Sequence, residues 1–192
     1  FGKLMNTCLR VVALALVLGT MQADSAPVAD EDRVPIDLRR TTLIVENIEN
    51  SLTFYRDALG LEVIYDHRIR TPREARTDEQ ADRSLRLVFL RSNDDYVGIV
   101  GLMQYMKPVR PAPREAAAPF STGSIVMLFN ATDLDTTFAK ARAVPGVTVL
   151  SEPRLTKYPS YDGKGTISVN VSMLKDPDGF IIELNQLLEE LH

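Results

Sequence analysis

Residues 176–184 read Asp-Pro-Asp-Gly-Phe-Ile-Ile-Glu-Leu, and this stretch decides the fold. Pro177 presets φ for a turn, the Asp178 side chain can bond its own backbone, and Gly179 accepts a positive φ. The pattern therefore predicts a turn that leads into a strand carrying one acid, Glu183. A carboxylate within an apolar strand is costly unless it faces a cavity, a partner or solvent. Glu183 is thus either a solvated side chain at a rim or a functional group in a cavity.

The unit that ends in this strand occurs twice in the chain. When the chain is displaced so that Gly60 falls on Gly146, the apolar pattern of the first half falls on that of the second. A slightly shorter displacement then places residues 99–102, Ile-Val-Gly-Leu, on residues 181–184, Ile-Ile-Glu-Leu. A sustained displacement with one small deletion is typical of a duplicated structural unit.

Each copy reads as a strand, a helix and three further strands, which predicts an α+β fold. Asn47 and Asp133 are suitable N-caps, and Gly60 and Pro145-Gly146 are expected to end the two helices. The predicted strands lie near residues 38–46, 61–68, 84–91, 97–104, 124–131, 147–151, 166–174 and 179–186.

The predicted organisation is one domain made of two modules. The expected segments are a leader at 1–25, a flexible segment at 26–36, a first module at 37–104, a linker at 105–121, a second module at 122–187 and a tail at 188–192. The linker contains Pro108, Pro111, Pro113 and Pro119, which disfavour a regular element and favour an extended chain. Within the first module, residues 68–83 carry charges of both signs. They are expected to form a solvated loop or short helix, or a flap that supplies an arginine to an anionic ligand.

Residues 47–61, Asn-Ile-Glu-Asn-Ser-Leu-Thr-Phe-Tyr-Arg-Asp-Ala-Leu-Gly-Leu, resemble the helix signature of the vicinal oxygen chelate superfamily. That group includes glyoxalase I, extradiol dioxygenases, fosfomycin-resistance enzymes and bleomycin-resistance proteins. Asp176-Pro177-Asp178-Gly179 followed by Ile182-Glu183-Leu184 resembles its closing signature. The resemblance covers about residues 36–187 and implies paired βαβββ modules whose sheets curl around a shared cup.

Residues 1–25 have the features of a secretory signal peptide. A short basic region ends at Arg10, an uncharged apolar run follows at 11–21, and Ala23-Asp24-Ser25 is a suitable cleavage site. The apolar run is too short to span a bilayer as a mature helix, and the alternative is a retained N-terminal anchor. The sequence therefore predicts a periplasmic or secreted protein with no membrane association after cleavage.

Composition excludes several kinds of site. The one cysteine, Cys8, lies in the predicted leader, so a mature chain would have no disulfide, thiolate metal site or cysteine nucleophile. The formal net charge of −4 argues against nucleic acid as a partner.

Alternation along the strands predicts which side chains face the cup. We expect Leu85, Leu87 and Phe89 on the third strand, and Ile167, Val169, Val171 and Met173 on the seventh, to pack against the helices. The alternate residues, among them Val88, Leu90, Ser168, Ser172 and Leu174, are then expected in the cup, as are Ile44, Ile99, Ile181 and Asn185 on other strands. Ligand contacts are predicted from Arg40, Thr42, Arg86, Met103, Leu128, Asn130, Asn170 and Glu183. A register slip of one residue would invert the assignment on any strand.

The resemblance also implies four metal-ligand positions, usually His, Gln or Glu, one on each of four strands. In this sequence those positions are Arg40, Gly101, Val126 and Glu183. Only Glu183 has a side chain that can bind a metal. Extradiol dioxygenases need two His and a carboxylate, whereas the two histidines here are His67 and the C-terminal His192. We therefore expect no metal and no cofactor, and a dioxygenase is nearly excluded.

Arg40 and Glu183 are expected to face each other in the cup. The pair would either bind an anionic ligand, with Glu183 as orienter or base, or form a salt bridge in place of a lost metal site. The first function class is a metal-free monomer or homodimer that binds a small anionic or amphipathic molecule, as bleomycin-resistance proteins hold a drug. The loop at 157–165, with Tyr158 and Tyr161, is expected to close over that ligand. The second class, an isomerase or lyase with Glu183 as base or as the remaining metal ligand, rests on fold analogy.

Overall fold

The computed structural model of the chain describes residues 30–110, 120–160 and 163–188. The predicted leader with Cys8, three of the four linker prolines, Tyr161 and the end of the tail lie outside the described residues. Within the described ranges, no helix has the length and apolar character needed to cross a membrane.

Each half of the chain forms a strand, a helical segment and three further strands. The elements are β1 (Arg40–Ile44), α1 (Ile48–Leu52) continuing as a π-helix (Thr53–Ala58), β2 (Glu62–Thr71), β3 (Arg83–Arg91), β4 (Ile99–Lys107), β5 (Val126–Asn130), α2 (Leu134–Arg142), β6 (Thr148–Pro159), β7 (Thr166–Lys175) and β8 (Ile181–Leu187). A short 3-10 turn, Asp30–Asp32, precedes β1.

Both helices begin at the predicted caps. The Asn47 side chain accepts a hydrogen bond from the Glu49 backbone N–H at 2.9 Å, and the Asp133 side chain accepts one from Thr136 N–H at 3.0 Å. Each bond satisfies a donor that the first helical turn leaves free. Gly60 ends the first helical segment with φ +82°, a conformation that glycine adopts without strain.

The strands form two mixed four-stranded sheets, in the orders β1-β4-β3-β2 and β5-β8-β7-β6. In each sheet the first pair is parallel, β1 with β4 and β5 with β8, and the other pairs are antiparallel. This confirms the two predicted βαβββ modules. The sheets are not closed into a barrel.

One hydrophobic core serves both modules. Its members include Phe54 and Tyr55 from the first module and Leu134, Phe138 and Leu184 from the second, each less than 5% exposed. The helical segments and one face of each sheet pack into this core. We call that face of a sheet its core face and the opposite one its open face.

The turn at 176–180 joins the modules. Asp176 closes the turn by accepting hydrogen bonds from the backbone N–H groups of Asp178 and Phe180, so the predicted role of Asp178 in its own turn is wrong. The Asp178 carboxylate instead accepts the Glu46 backbone N–H at 2.7 Å and the Ser51 hydroxyl at 3.0 Å.

Asp176 is itself buried and accepts the Tyr55 hydroxyl at 2.8 Å. Burial raises the pKa of the Asp176 carboxyl to about 6, against the opposing effect of its hydrogen bonds. Burial and the nearby Asp176 charge also raise the pKa of Tyr55, so its hydroxyl stays protonated and donates.

Three strands run further than their sequence pattern predicts. β4 continues to Lys107, inside the predicted linker. β2 continues to Thr71, so the first residues of the charged segment 68–83 pair with β3 rather than forming a loop or helix. In that segment Arg70 binds Asp78 at 2.8 Å. A role of the segment as a flap that supplies an arginine to a ligand stays a prediction. β6 continues to Pro159, because it pairs with β7 along most of its length.

Candidate functional site

The open face of the first sheet follows from its strand register. Arg40, Thr42 and Ile44 of β1 lie beside Ile99, Gly101 and Met103 of β4. The intervening Leu43 and Val45 belong to the buried core. The predicted faces of β1 and β4 are therefore correct.

The predicted face of β3 is wrong. Phe89 pairs with Gly101, which places Phe89 on the open face, while Val88 pairs with Leu102 in the core. Arg86 consequently lies on the core face, where it binds Asp66 at 2.7 Å and Glu49. The hydrogen bond from Arg86 holds the pKa of Asp66 below its usual value. Arg86 is thus engaged by two carboxylates on the face opposite the proposed ligand site.

The predicted face of β7 is wrong for the same reason. Met173 pairs with Glu183, and Leu174 pairs with Ile182, which is buried in the core. Alternation then places Val169 and Val171 with Met173 on the open face of the second sheet. Ser168, Asn170, Ser172 and Leu174 lie on the core face. The buried Ser172 hydroxyl is satisfied there by donating to the Leu184 carbonyl at 3.3 Å.

The second sheet presents the other predicted residues on its open face. Leu128 and Asn130 of β5 lie beside Glu183 and Asn185 of β8. The Asn130 side chain accepts the Leu187 backbone N–H at 3.3 Å. Six of the eight predicted ligand residues therefore lie on open faces, divided between the two sheets: Arg40, Thr42 and Met103 on the first, Leu128, Asn130 and Glu183 on the second.

Arg40 is held in a defined position on the first sheet. Its Nε donates to the Thr42 hydroxyl at 3.0 Å, and its guanidinium carbon lies 4.0 Å from the centroid of the Phe89 ring. A guanidinium over an aromatic face is attracted by the ring quadrupole. Arg40 is exposed to solvent, and its contacts with Thr42 and Phe89 orient the guanidinium in this position.

Gly101 makes this position possible. It lies on β4, between the strands that carry Arg40 and Phe89. A Cβ at Gly101 would lie 2.8 Å from Thr42 Oγ1 and 3.1 Å from Arg40 Cδ. The first separation is shorter than real Cβ atoms show and the second is tight, so a side chain at position 101 would force Thr42 to shift and would crowd Arg40 where it crosses β4. The family resemblance assigns this position to a metal ligand. In this protein the glycine instead leaves space for the Arg40 side chain to pack across β4.

Phe89 continues into an aromatic row that sequence reasoning missed. The Phe89 and Tyr65 rings stack with centroids 4.6 Å apart and planes 20° apart, and Tyr65 meets His67 edge to face. The row stands on β3 and β2 of the first sheet. The alternation of Tyr65, His67 and Ile69 along β2 was the available signal, since these three residues share one face beyond the bulge near residue 64.

Within the described residues, the hydrogen bond of Arg40 is made by Nε and not by its two terminal nitrogens. Among residues 30–110, 120–160 and 163–188, no carboxylate or carbonyl accepts from them, while Nε and one planar face are already used. A guanidinium with two free parallel N–H groups matches the two oxygens of a carboxylate or phosphate. The arrangement is suited to bind an anion.

Glu183 and Arg40 do not form the predicted direct ion pair in the part of the chain that the structure describes. The Glu183 carboxylate, half-buried between Leu128 and Met173, accepts from Asn185 Nδ2 at 2.9 Å. Arg40 is held within the other sheet. Each charge has a partner in its own module, which explains the absence of the pair. A link through a ligand stays a prediction, as does a catalytic role for Glu183.

The residues present do not fit a divalent metal. Of the four positions implied by the family resemblance, Gly101 and Val126 have no donor atom, and Arg40 is a permanent cation. Within the described residues, no three or more His, Cys, Asp and Glu side chains cluster in a way that could hold a metal ion. No chemical step can therefore be assigned to a metal at this place.

Two cavities lie where the modules meet, away from the open faces. One has a volume of about 310 Å³ and is lined by Glu46, Asn47, Asn50, Pro177 and Asp178. The other, of about 340 Å³, lies between the helical segments. The loop predicted to close over a ligand is in part a strand, because Tyr158 belongs to β6 and pairs with Ile167. Its closure stays a prediction.

Comparisons with known proteins agree with the architecture. The model of the Glyoxalase/Bleomycin resistance protein/Dioxygenase superfamily matches residues 37–184. A glyoxalase family protein from Bacillus cereus has a similar structure, with a TM-score of 0.62 and 15% identity over 84% of this chain and 100% of that one.

Two further structures are similar at lower scores. The trypanothione-dependent glyoxalase I of Leishmania major has a TM-score of 0.48 and 19% identity over 79% of this chain and 86% of that one. The antibiotic binding protein TnmS3 from Streptomyces sp. CB03234 has a TM-score of 0.48 and 19% identity over 81% of this chain and 99% of that one. No curated protein matches the chain in sequence.

Proposed function

Because this chain belongs to the Glyoxalase/Bleomycin resistance protein/Dioxygenase superfamily, we propose that it binds a small organic anion through Arg40, without a metal. The observation that carries the proposal is the fixed guanidinium on the open face of the first sheet. Its Nε and one face are occupied by Thr42 and Phe89, and no other residue in the described part of the chain bonds its terminal nitrogens, which leaves them to a ligand. Since the cation is already oriented, little side-chain entropy is lost when an anion binds.

The surroundings of Arg40 favour a ligand with an apolar body. Ile44 on the same face is 48% exposed, and the half-buried Met103 lies beside it on β4. Phe89 and Tyr65 extend the apolar surface across the sheet. An amphipathic molecule with a carboxylate or phosphate at one end would place that group on Arg40 and its apolar part on these side chains. Aromatic carboxylates have this chemistry and are suitable probes.

A panel of aromatic carboxylates, including benzoate, salicylate and 1-naphthoate, tests the proposal by thermal shift of the purified protein. We expect at least one compound to raise the Tm of the native protein in a dose-dependent manner, since a ligand that binds only the folded state stabilises it. The Arg40→Met variant should lose this response.

Arg39→Met is the matched control. Arg39 adjoins Arg40 and stacks over Tyr96 at 4.6 Å, so its replacement removes the same charge and a similar cation–π contact. The control variant should respond as the native protein does. Equal loss in both variants would indicate a general charge effect, and no response to any carboxylate in the native protein would refute the proposal.

We also propose that the protein is exported from the cytoplasm. The predicted leader suggests that binding takes place in the periplasm or outside the cell. When the chain is expressed with its leader in a Gram-negative host, we expect it in the periplasmic fraction with an N-terminus near Ala26. An intact leader on exported material would contradict this.

A further inference from the structure

We propose that Asn185 and Glu183 form a second subsite, on the open face of the other sheet, that binds a hydrogen-bond donor such as an ammonium group. This subsite does not include Arg40 and goes beyond the binding of an anion. The starting observation is that Asn185 is 8% exposed and that its buried Oδ1 atom has no hydrogen-bond partner among residues 30–110, 120–160 and 163–188. A buried amide oxygen left unpaired destabilises the folded state, so such an atom calls for an explanation.

Glu183 determines which atom of the Asn185 amide is presented. An ionised carboxylate only accepts hydrogen bonds, so the Asn185 group facing it must be the NH₂ group. That contact, Nδ2 to Glu183 Oε1, measures 2.9 Å. A flipped amide would bring two acceptor oxygens together. The orientation is therefore chemically fixed, and Oδ1 is left as an acceptor for another molecule.

The side chains around Asn185 determine which chemical groups can bind at its Oδ1 atom. Asn185 lies beside Asn130 on β5 and Val171 on β7, and Glu183 lies beside Leu128 and Met173. Leu128 is 57% exposed, which leaves a route to the half-buried Glu183 along an apolar surface. The Asn130 oxygen is already occupied by the Leu187 N–H. The subsite thus offers one free amide oxygen and one carboxylate over apolar side chains.

These features favour a cationic donor with a short apolar stem. The negative charge of Glu183 attracts an ammonium group and repels a carboxylate, and a partly buried position strengthens both effects. A neutral alcohol can donate to Asn185 Oδ1 but gains nothing from the charge. The expected order of affinity is therefore alkylammonium, then alcohol, with the carboxylate not bound.

Butylammonium, butan-1-ol and butyrate carry the same stem and test this order in ¹⁵N–¹H NMR titrations of the full chain. The reporter is the side-chain NH₂ signal of Asn185, which its absence in Asn185→Asp identifies. We expect a saturable shift with butylammonium and none with butyrate. Asn185→Leu should weaken butylammonium binding at least ten-fold, as read from the backbone signals of β8. Asn170→Leu, on the core face of β7, is the matched control and should bind as the native protein does.

Glu183→Gln provides a second variant in case Asn185→Leu does not fold. Gln can donate as well as accept, so this change removes both the charge and the fixed amide orientation. Butylammonium affinity should then fall to that of butanol. Arg40→Met should leave the butylammonium response unchanged, so failure here and failure of the anion proposal are distinguishable.

Several results would overturn the inference. These are the absence of a saturable shift with any probe, an equal response to butylammonium and butyrate, and an unchanged affinity in both Asn185→Leu and Glu183→Gln. A crystal structure at saturating butylammonium in which Asn185 Oδ1 binds only an ordered water would overturn it as well.

Discussion

At the scale of single residues, one missing Cβ decides how the site is built. Gly101 occupies a position where the family resemblance implies a metal ligand, and any larger residue there would collide with Thr42 and Arg40. Because Gly101 has no side chain, the Arg40 side chain can cross β4 and stack on the Phe89 ring. The same residue therefore removes a metal ligand and makes room for a cation.

Gly101→Ala tests this relation. The added Cβ would lie 2.8 Å from Thr42 Oγ1, so Thr42 and Arg40 must move. We expect a loss of about 1–3 kcal/mol in the free energy of unfolding, measured by urea denaturation, as for other overpacked sites. Carboxylate binding should fall as well.

The double variant Gly101→Ala with Thr42→Ala is the control for that clash. Because it removes the colliding hydroxyl, it should be destabilised less than the sum of the two single changes. Additive effects would show that the close approach of Gly101 to Thr42 does not limit the site.

Sequence reasoning reached Arg40 and Glu183 but missed their neighbours. Arg40 was identified because the repeat and the family signatures point to its position. Alternation places Phe89 on the wrong face, His67 is weighed only as a metal ligand, and no sequence pattern singles out Tyr65. Their place depends on the pairing of β2 with β3 across a bulge, which alternation within one strand does not reveal.

At the scale of secondary-structure elements, the starts of the helices are easier to predict than the ends or the faces of the strands. Asn47 and Asp133 cap their helices as expected, because a cap depends on bonds within a few residues. The faces of β3 and β7 were inverted because these central strands carry apolar residues on both sides. On β7 the more apolar side, with Val169 and Val171, faces away from the helices. The alternation of apolar residues alone would place Val169 and Val171 against the helices.

The turn at 176–180 should make stability depend on pH. The pKa of Asp176 is about 6 in the folded protein and near 3.8 when the chain is unfolded. Between these values the folded state binds the additional proton, so its stability falls as pH rises from about 4 to about 6. A shift of this size corresponds to at most about 3 kcal/mol.

Asp176→Asn isolates this effect. The amide keeps an oxygen for the Asp178 and Phe180 N–H groups but does not titrate. We expect the free energy of unfolding of the native protein, relative to that of the variant, to decrease between pH 4 and pH 6 in urea titrations. A constant difference across this range would show that the Asp176 pKa is not raised.

At the scale of the whole molecule, the two modules share one hydrophobic core. The shared core joins Phe54 and Tyr55 with Leu134 and Phe138, and Asp178 ties the second module to the first. The duplicated pattern predicts two equivalent modules, and the architecture confirms this. How the modules pack together is set by contacts distant in sequence, such as Tyr55 with Asp176, which no local pattern contains.

Phe138→Ala tests whether the modules unfold together. Phe138 is 4% exposed in the core, and its truncation should cost about 3–5 kcal/mol. Amide hydrogen exchange should accelerate in β3 and β4 of the first sheet as much as in β7 and β8 of the second, because one core supports both. Acceleration confined to the second sheet would mean that the modules are independent.

The central claim is that Arg40 binds the anionic group of a small molecule. The most direct test is a crystal structure of the protein with the aromatic carboxylate that raises its Tm most. We predict the carboxylate oxygens within hydrogen-bond distance of Arg40 Nη1 and Nη2, the apolar part of the ligand on Met103 or Ile44, and no metal ion between ligand and protein. A ligand bound in the junction cavity near Asn50, or a carboxylate bound through a metal at Glu183, would contradict the account.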